Sequence, residues 1–220
     1  MVHDVIESLV RDLDRQTAGV LQMLPKSKWP YFAVVGDDSP FIKAVKSKAK
    51  KFGLTYEEYP GDSRKCFVTT PVIYDRETCE ANILDKEADV DRTKFDGMSC
   101  VAEAIYLLLK RMDLIAYKDI TIVGRGHAVK GLAEKLIAGD ATVTVAHSKT
   151  RRLAFATDCK DVLIFATPEI TGPVYNDTKD LVIDLGECFE ENACRLGCEY
   201  TKDIGKLTVS VILSRLVCGG

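Results

Sequence analysis

The sequence has no apolar run long enough to cross a membrane, and its charged N-terminus is unlike a signal or transit peptide. It also has no excess of positive charge, because 33 acidic residues outnumber 30 basic ones and the formal net charge is −3. A protein that binds duplex nucleic acid usually needs a positive face. These absences argue against membrane and nucleic-acid functions and make the cytoplasm the expected location.

The eight cysteines lack the regular spacing and the secretory signal that accompany a disulfide framework. In a reducing compartment we expect free thiols that pack as small hydrophobic residues. Cys188, Cys194 and Cys198 lie close together, but without the paired C-x2-C spacing that structural zinc sites prefer. We therefore predict no metal site, and the role of this cluster stays open.

What is present is an alternation of strand and helix patterns, which predicts an α/β protein with parallel sheets. The first half predicts helices at 2–24, 40–52, 75–84 and 99–112, and strands at 31–35, 54–59 and 66–70. The second half predicts strands at 120–123, 141–146, 162–166 and 181–185, and helices at 127–138, 150–158 and 206–217.

The second β-α-β pattern begins just after residues 112–118, so we expect two lobes on either side of that point. The predicted division is an N-terminal α/β substrate domain over 1–114 and a Rossmann-like dinucleotide-binding domain with a parallel sheet over 115–203. The last segment, 204–220, is expected to be a helix that packs back on the N-terminal domain.

The strongest local signal for a ligand is the segment 120–131, ITIVGRGHAVKG. It predicts a buried strand, a Gly124-x-Gly126 turn and then a helix. Such glycines let the backbone approach a pyrophosphate, whose charge is received by the free N–H groups of the helix N-terminus. The spacing is G-x-G-x4-G rather than G-x-G-x2-G, so a glycine turn without a ligand is the alternative. His127 can bind phosphate or cap the helix.

The next strand ends in a polar, basic segment at 147–152, His-Ser-Lys-Thr-Arg-Arg, that contains no acid. A site specific for NAD usually has an Asp or Glu there for the ribose hydroxyls. Arg125 and Ser148 can instead contact a 2′-phosphate, which guanidinium groups suit. The segment favours NADP, with a solvated basic helix start as the alternative.

Several segments together resemble the methylenetetrahydrofolate dehydrogenase/cyclohydrolase family. The family's G-R-S-x-x-V-G loop corresponds to 124–130, its A-T-V-T-x-C-H-S-x-T run to 141–150, and its V-I-D-V-G to 182–186. The first half has weaker matches, to V-G-D-D-x-x-S at 35–39 and to Lys-x-Lys-Ala at 46–49.

This resemblance implies an NADP-dependent oxidation of 5,10-methylenetetrahydrofolate, a methenyltetrahydrofolate cyclohydrolase activity, a folate-type substrate and a homodimer. It also implies a set of cofactor-binding residues, several of which the glycine turn and the basic segment had already indicated. They are Gly124, Arg125, Gly126, His127, His147, Ser148, Lys149, Thr150, Ala166, Thr167, Asp184, Gly186 and Thr208.

On the substrate side, the resemblance implies that Lys46 is the catalytic residue and that Thr69, Pro71 and Asp96 contact the substrate. The family's Tyr four residues before the Lys is Ile42 here, and the Gln of its V-Q-L-P motif is Thr69. A surface lysine on a basic helix is therefore the alternative for Lys46. Since ring hydrolysis needs managed proton transfer, we expect cyclohydrolase activity to be weak or absent.

These departures leave two rival functions open. One is a dehydrogenase on the same scaffold that acts on another pterin or another small molecule. The other is a non-catalytic protein that binds a nucleotide or a partner.

Overall fold

The computed structural model describes residues 1–35, 39–59, 67–68, 71–74, 82–83, 88–92, 95–168, 178–186 and 198–218. The helices are α1 Val2–Met23, α2 Pro40–Phe52, α3 Cys100–Arg111, α4 Leu132–Ile137, α5 Leu153–Thr157 and α6 Ile204–Cys218. The strands are β1 Tyr31–Val35, β2 Thr55–Tyr59, β3 Phe67–Val68, β4 Val72–Tyr74, β5 Asn82–Ile83, β6 Asp119–Val123, β7 Thr142–Ala146, β8 Val162–Phe165, β9 Leu181–Asp184 and β10 Glu199–Thr201. No helix in these described ranges is both long and apolar enough to cross a membrane.

The chain forms two compact units. The first unit comprises Met1–Leu9 and Val101–Ile204, and the second comprises Val10–Cys100 and Gly205–Gly220. This division follows Cys100, whereas the sequence placed the start of the second domain at residue 115. The domain boundaries predicted from the sequence, 1–114, 115–203 and 204–220, remain predictions.

The first unit contains a five-stranded parallel sheet in the order β10-β9-β8-β6-β7. Every residue of β8 and β9 is buried, as expected for apolar strands that are covered on both faces. Because all strand pairs are parallel, β6, β7 and β8 end at the same edge of the sheet. The predicted α/β class with a parallel Rossmann-like sheet is confirmed.

The second unit contains a three-stranded parallel sheet in the order β2-β1-β4, and Asp89 extends it through a bridge to Val72. Its helix α2 has the ends that the sequence predicts. The Ser39 Oγ accepts a hydrogen bond from the Ile42 N–H at 3.3 Å, and Gly53 closes the helix in the left-handed conformation with φ +70°.

The predicted helix at 127–138 is wrong as a single element. A 3-10 turn, His127–Val129, comes first, and α4 starts only at Leu132. Gly131 separates them with φ +75°, a conformation that glycine adopts without strain. The helix after the glycine turn is therefore short.

Other corrections concern short elements. Within the predicted helix at 75–84, Asn82–Ile83 is strand β5, paired with β3, while 75–81 and 84 lie outside the described residues. The helix predicted at 150–158 is only Leu153–Thr157, because Arg152 has φ +59°. Strands β4 and β10 were not predicted at all.

Candidate functional site

The loop after β6 is held against its neighbouring strands at Gly124. This residue has φ +122°, and a Cβ placed on it would lie 2.5 Å from the carbonyl oxygen of Ala166. The Gly124 N–H also donates to the Ala146 oxygen at 2.7 Å. Only glycine combines this backbone angle with so close an approach.

A pocket of about 360 Å³ opens at this edge of the sheet. Its walls come from the ends of β6, β7 and β8, where parallel α/β sheets bind ligands. Among the described residues, those that line the pocket are Val123, Gly124, Arg125, Gly126, His147, Ser148, Leu153, Ala166, Thr167 and Pro168.

The wall that follows β7 is a turn closed by its own side chains. The His147 N–H donates to the Thr150 Oγ1 at 2.8 Å, and the Thr150 N–H donates to the His147 oxygen at 2.8 Å. The Lys149 N–H donates to the His147 Nδ1 at 3.2 Å. Since Nδ1 accepts, the proton of the neutral imidazole sits on Nε2. This turn places His147 and Ser148 on the pocket wall.

The electrostatic character around the turn is positive. The side chains of Arg125, Lys149, Arg151 and Arg152 are exposed to solvent, and the segment 147–152 contributes no carboxylate. Guanidinium and hydroxyl groups are suitable donors to a phosphate, and Arg125 and Ser148 lie on the pocket wall itself.

Seven of the thirteen predicted cofactor residues line the pocket: Gly124, Arg125, Gly126, His147, Ser148, Ala166 and Thr167. Five others belong to the first unit without lining the pocket: His127, Lys149, Thr150, Asp184 and Gly186. Thr208 is buried in α6, in the second unit. The sequence analysis did not predict that Val123, Leu153 and Pro168 line the pocket. Val123 and Pro168 each adjoin a predicted residue, and this adjacency could have indicated them.

Asp184 and Gly186 shape the pocket indirectly. The fully buried Asp184 carboxylate accepts hydrogen bonds from the Gly186 N–H and from the Tyr200 hydroxyl, both at 3.2 Å. A Cβ on Gly186 would collide with the Thr167 carbonyl oxygen. These contacts keep the chain after β9 tight against Thr167, a wall of the pocket.

In the second unit, Lys46 forms an ion pair that the sequence did not predict. Its Nζ lies 2.7 Å from the Glu58 Oε2, with 16% of the lysine side chain and 58% of the glutamate side chain exposed. Ile42, one helical turn before Lys46, is fully buried. The structure thus provides Lys46 with a carboxylate partner from β2.

The predicted substrate residues are described only in part. Thr69 lies outside the described residues, as do Cys188 and Cys194 of the cysteine cluster. The Pro71 carbonyl accepts a hydrogen bond from the Ala33 N–H at 2.9 Å and so belongs to the sheet. Asp96 is exposed in a bend of the chain before α3.

Residues 99–212 match the family described as tetrahydrofolate dehydrogenase/cyclohydrolase, NAD(P)-binding domain. The chain belongs to this family. The resemblance drawn from the motifs is confirmed, and the description of the matched domain agrees with the expected class of cofactor, a nicotinamide dinucleotide. The match includes β6 to β9 and therefore every described residue that lines the pocket.

A curated relative, the bifunctional protein FolD of Thermosipho melanesiensis, is 30% identical over 179 residues, and the alignment covers 66% of this chain and 66% of that protein. The chain thus spans slightly less than two thirds of that relative. Two solved structures have the same fold at 16% identity. A silkworm (Bombyx mori) 5,10-methylenetetrahydrofolate dehydrogenase gives a TM-score of 0.75 over 98% of this chain and 95% of that one. The Trypanosoma brucei dehydrogenase-cyclohydrolase, complexed with NADP and an inhibitor, gives 0.68 over 98% and 94%.

Proposed function

We propose that this protein is an NADP-dependent 5,10-methylenetetrahydrofolate dehydrogenase. The observation that carries the proposal is the pocket at the ends of β6, β7 and β8, within the matched nucleotide-binding domain. At Gly124 the backbone leaves no room for a side chain, which fits the tight turn of a dinucleotide site, and a Cβ on Gly126 would meet no protein atom within 4 Å, which leaves that backbone open to a pyrophosphate. When bound, the cofactor supplies the redox chemistry by accepting a hydride.

NADP is proposed over NAD because of the charge on the β7 side of the pocket. Arg125 and Ser148 would donate to the 2′-phosphate, while Lys149, Arg151 and Arg152 add a positive field. The segment 147–152 has no carboxylate to bind the free hydroxyls of NAD.

On the substrate side, we propose Lys46 as the catalytic residue, with Pro71, Thr69 and Asp96 as substrate contacts. The Lys46 Nζ lies 2.7 Å from the Glu58 carboxylate, so its surroundings differ from those that a Tyr and a Gln would provide. Ring hydrolysis needs a placed water and a group that exchanges protons. The buried Ile42 can neither hydrogen-bond a water nor exchange a proton. The proposal therefore includes a weak or absent cyclohydrolase activity.

One rival has support from the same geometry: a dehydrogenase that acts on another pterin. Lys46 is paired with Glu58 here, and the Tyr and Gln of the family are absent, so the substrate side is the part most open to a different ligand. A non-catalytic nucleotide-binding protein is the remaining alternative. The homodimer and the cytoplasmic location stay predictions.

The test is a turnover assay with methylenetetrahydrofolate and either NADP or NAD, followed by the absorbance of the reduced nicotinamide. The proposal expects oxidation that is faster with NADP. Oxidation of a different pterin only would support the first rival. Tight NADP binding with no turnover on any pterin would support the second.

A further inference from the structure

Tyr200, in the edge strand β10 of the first unit, reaches the end of β9 with its hydroxyl group. Its register partner in β9 is Val182, and its ring packs against the buried apolar cluster that contains Val182 and Val123. Alternate residues of a strand share a face, so Asp184 lies on the same face of β9 as Val182. The Tyr200 hydroxyl donates to the Asp184 Oδ2 at 3.2 Å. The tyrosine therefore links the edge strand to the last residue of β9.

The Asp184 carboxylate connects this tyrosine to the pocket wall. Its Oδ1 accepts a hydrogen bond from the Gly186 N–H at 3.2 Å, and Asp184 is fully buried. A Cβ on Gly186 would collide with the Thr167 carbonyl oxygen and would lie 3.2 Å from the Pro168 Cα. Thr167 and Pro168 both line the pocket. Because a buried carboxylate is oriented by the donors that face it, each of these hydrogen bonds helps to fix the wall.

This wall lies on one side of the glycine turn, and the basic segment lies on the other. The sheet order β8-β6-β7 places β6, which ends just before Gly124, between the strand that leads to Thr167 and the strand that leads to Ser148. In a dinucleotide the pyrophosphate joins the two nucleosides. A cofactor with its pyrophosphate at the turn and its 2′-phosphate on the β7 side would therefore have its nicotinamide half on the β8 side, against Thr167 and Pro168.

We propose that Tyr200 is a positioning residue that fixes the β8 wall of the pocket through Asp184 and thereby holds the nicotinamide half of the cofactor. This inference rests on the proposed function, which places NADP in the pocket. Tyr200 and Asp184 also make other interactions, so the hydroxyl shares this role and its loss should weaken binding without abolishing it. The rival explanation is an edge-strand tyrosine that stabilises the sheet and has no selective effect on ligands.

The experiment is an equilibrium titration of the cofactor-free protein with NADP and, separately, with adenosine 2′,5′-bisphosphate, which has the adenosine and the 2′-phosphate but no nicotinamide. Tyr200→Phe removes only the hydroxyl. We expect this variant to bind NADP about fivefold more weakly, as for the loss of one hydrogen bond, and the bisphosphate with a change of less than about twofold. The matched control is Tyr117→Phe, at a tyrosine of the same unit that is 90% exposed, which should change neither affinity.

A second variant tests the route through Asp184. Asp184→Asn keeps an oxygen that can accept the Gly186 N–H and removes the charge. If the hydroxyl acts through the carboxylate, adding Tyr200→Phe to Asp184→Asn should weaken NADP binding further by less than about twofold. Urea unfolding checks that each variant is folded in the titrations. The contrast between NADP and the bisphosphate in Tyr200→Phe decides the question by itself if Asp184→Asn does not fold.

The outcomes distinguish this inference from the proposed function. If the wild-type protein binds neither NADP nor the bisphosphate, the proposed function fails and this inference fails with it. If the wild type binds both and Tyr200→Phe behaves like Tyr117→Phe, or weakens both ligands equally, the role of Tyr200 is overturned while the proposed function stands. Losses that multiply in the double variant would overturn the route through Asp184.

Discussion

The two units differ in what builds their candidate sites. The pocket of the first unit depends on the backbone: Gly124 and Gly186 allow strand ends to approach within distances that exclude a side chain. The candidate site of the second unit depends on a side-chain pair between a helix and a strand, Lys46 with Glu58. A close approach of backbone segments requires glycine, so the sequence shows it. A side-chain pair can change with little effect on the fold.

The largest effect is expected at Gly124. Gly124→Ala forces a side chain into φ +122° and against the Ala166 carbonyl, which should lower the free energy of unfolding by about 3 kcal/mol. Gly126 provides the matched control, since a Cβ there meets nothing within 4 Å and its φ is −72°. Gly126→Ala should change stability by less than about 0.5 kcal/mol.

Urea unfolding together with NADP titration checks this contrast. Because Gly126 lines the pocket, its added methyl group should weaken NADP binding while the fold stays intact. A Gly124→Ala protein as stable as Gly126→Ala would mean that the close approach to Ala166 is not needed.

A smaller and more selective effect is expected at Arg125. Charge-assisted hydrogen bonds contribute about 1.5–3 kcal/mol, so Arg125→Ala should weaken NADP binding by roughly 10- to 150-fold. NAD binding should change by less than about threefold, because NAD lacks the 2′-phosphate. Calorimetric titration with both cofactors measures the difference. Arg111→Ala, at an exposed arginine of α3 in the same unit, should change neither, and equal losses at Arg125 would end the case for NADP.

The smallest effect concerns an ion pair at the amino-terminal edge of the five-stranded sheet, opposite the edge that carries the pocket. The Lys118 Nζ lies 2.8 Å from the Asp180 Oδ2, and this hydrogen bond raises the pKa of Lys118 above its ordinary 10.5. With the pKa raised in the folded state, the stabilisation is complete below pH of about 10.5 and is lost as the pH rises through the folded value.

Lys118→Met should therefore cost about 0.5–1 kcal/mol at neutral pH, as expected for a partly exposed pair. Thermal unfolding at pH 7 and above pH 11 tests this, because the difference from wild type should shrink at the higher pH. Lys179→Met is the control, since its Nζ lies 3.7 Å from Asp161 and 59% of its side chain is exposed. A cost at Lys118 that is independent of pH would contradict the account.

Much of the first unit was predictable because its signals are local. Apolar runs gave β6, β8 and β9, and Gly124-x-Gly126 marked the turn at the pocket. The break at Gly131 was missed because a single glycine is tolerated inside a helix pattern, and only the backbone shows that it adopts a positive φ. Strand β10 has three residues, too few for a pattern, and is identified in the structure by its pairing with β9.

The second unit was harder to predict because its contacts join distant segments. The pairing of β3 with β5 turned part of a predicted helix into strand. The sequence did not identify Glu58 as the partner of Lys46, because Glu58 is twelve residues away and is one of two adjacent glutamates on β2. The sequence indicated which partners of Lys46 were lost, but not which residue the fold brings next to it.

The most direct test of the contrast between the two units follows methylene oxidation and methenyl hydrolysis on one preparation. An intact pocket in the first unit and an altered lysine environment in the second predict NADP-dependent oxidation, with hydrolysis at least about tenfold slower. Robust hydrolysis without detectable oxidation would contradict the account and would show that the second unit, rather than the first, retains its function.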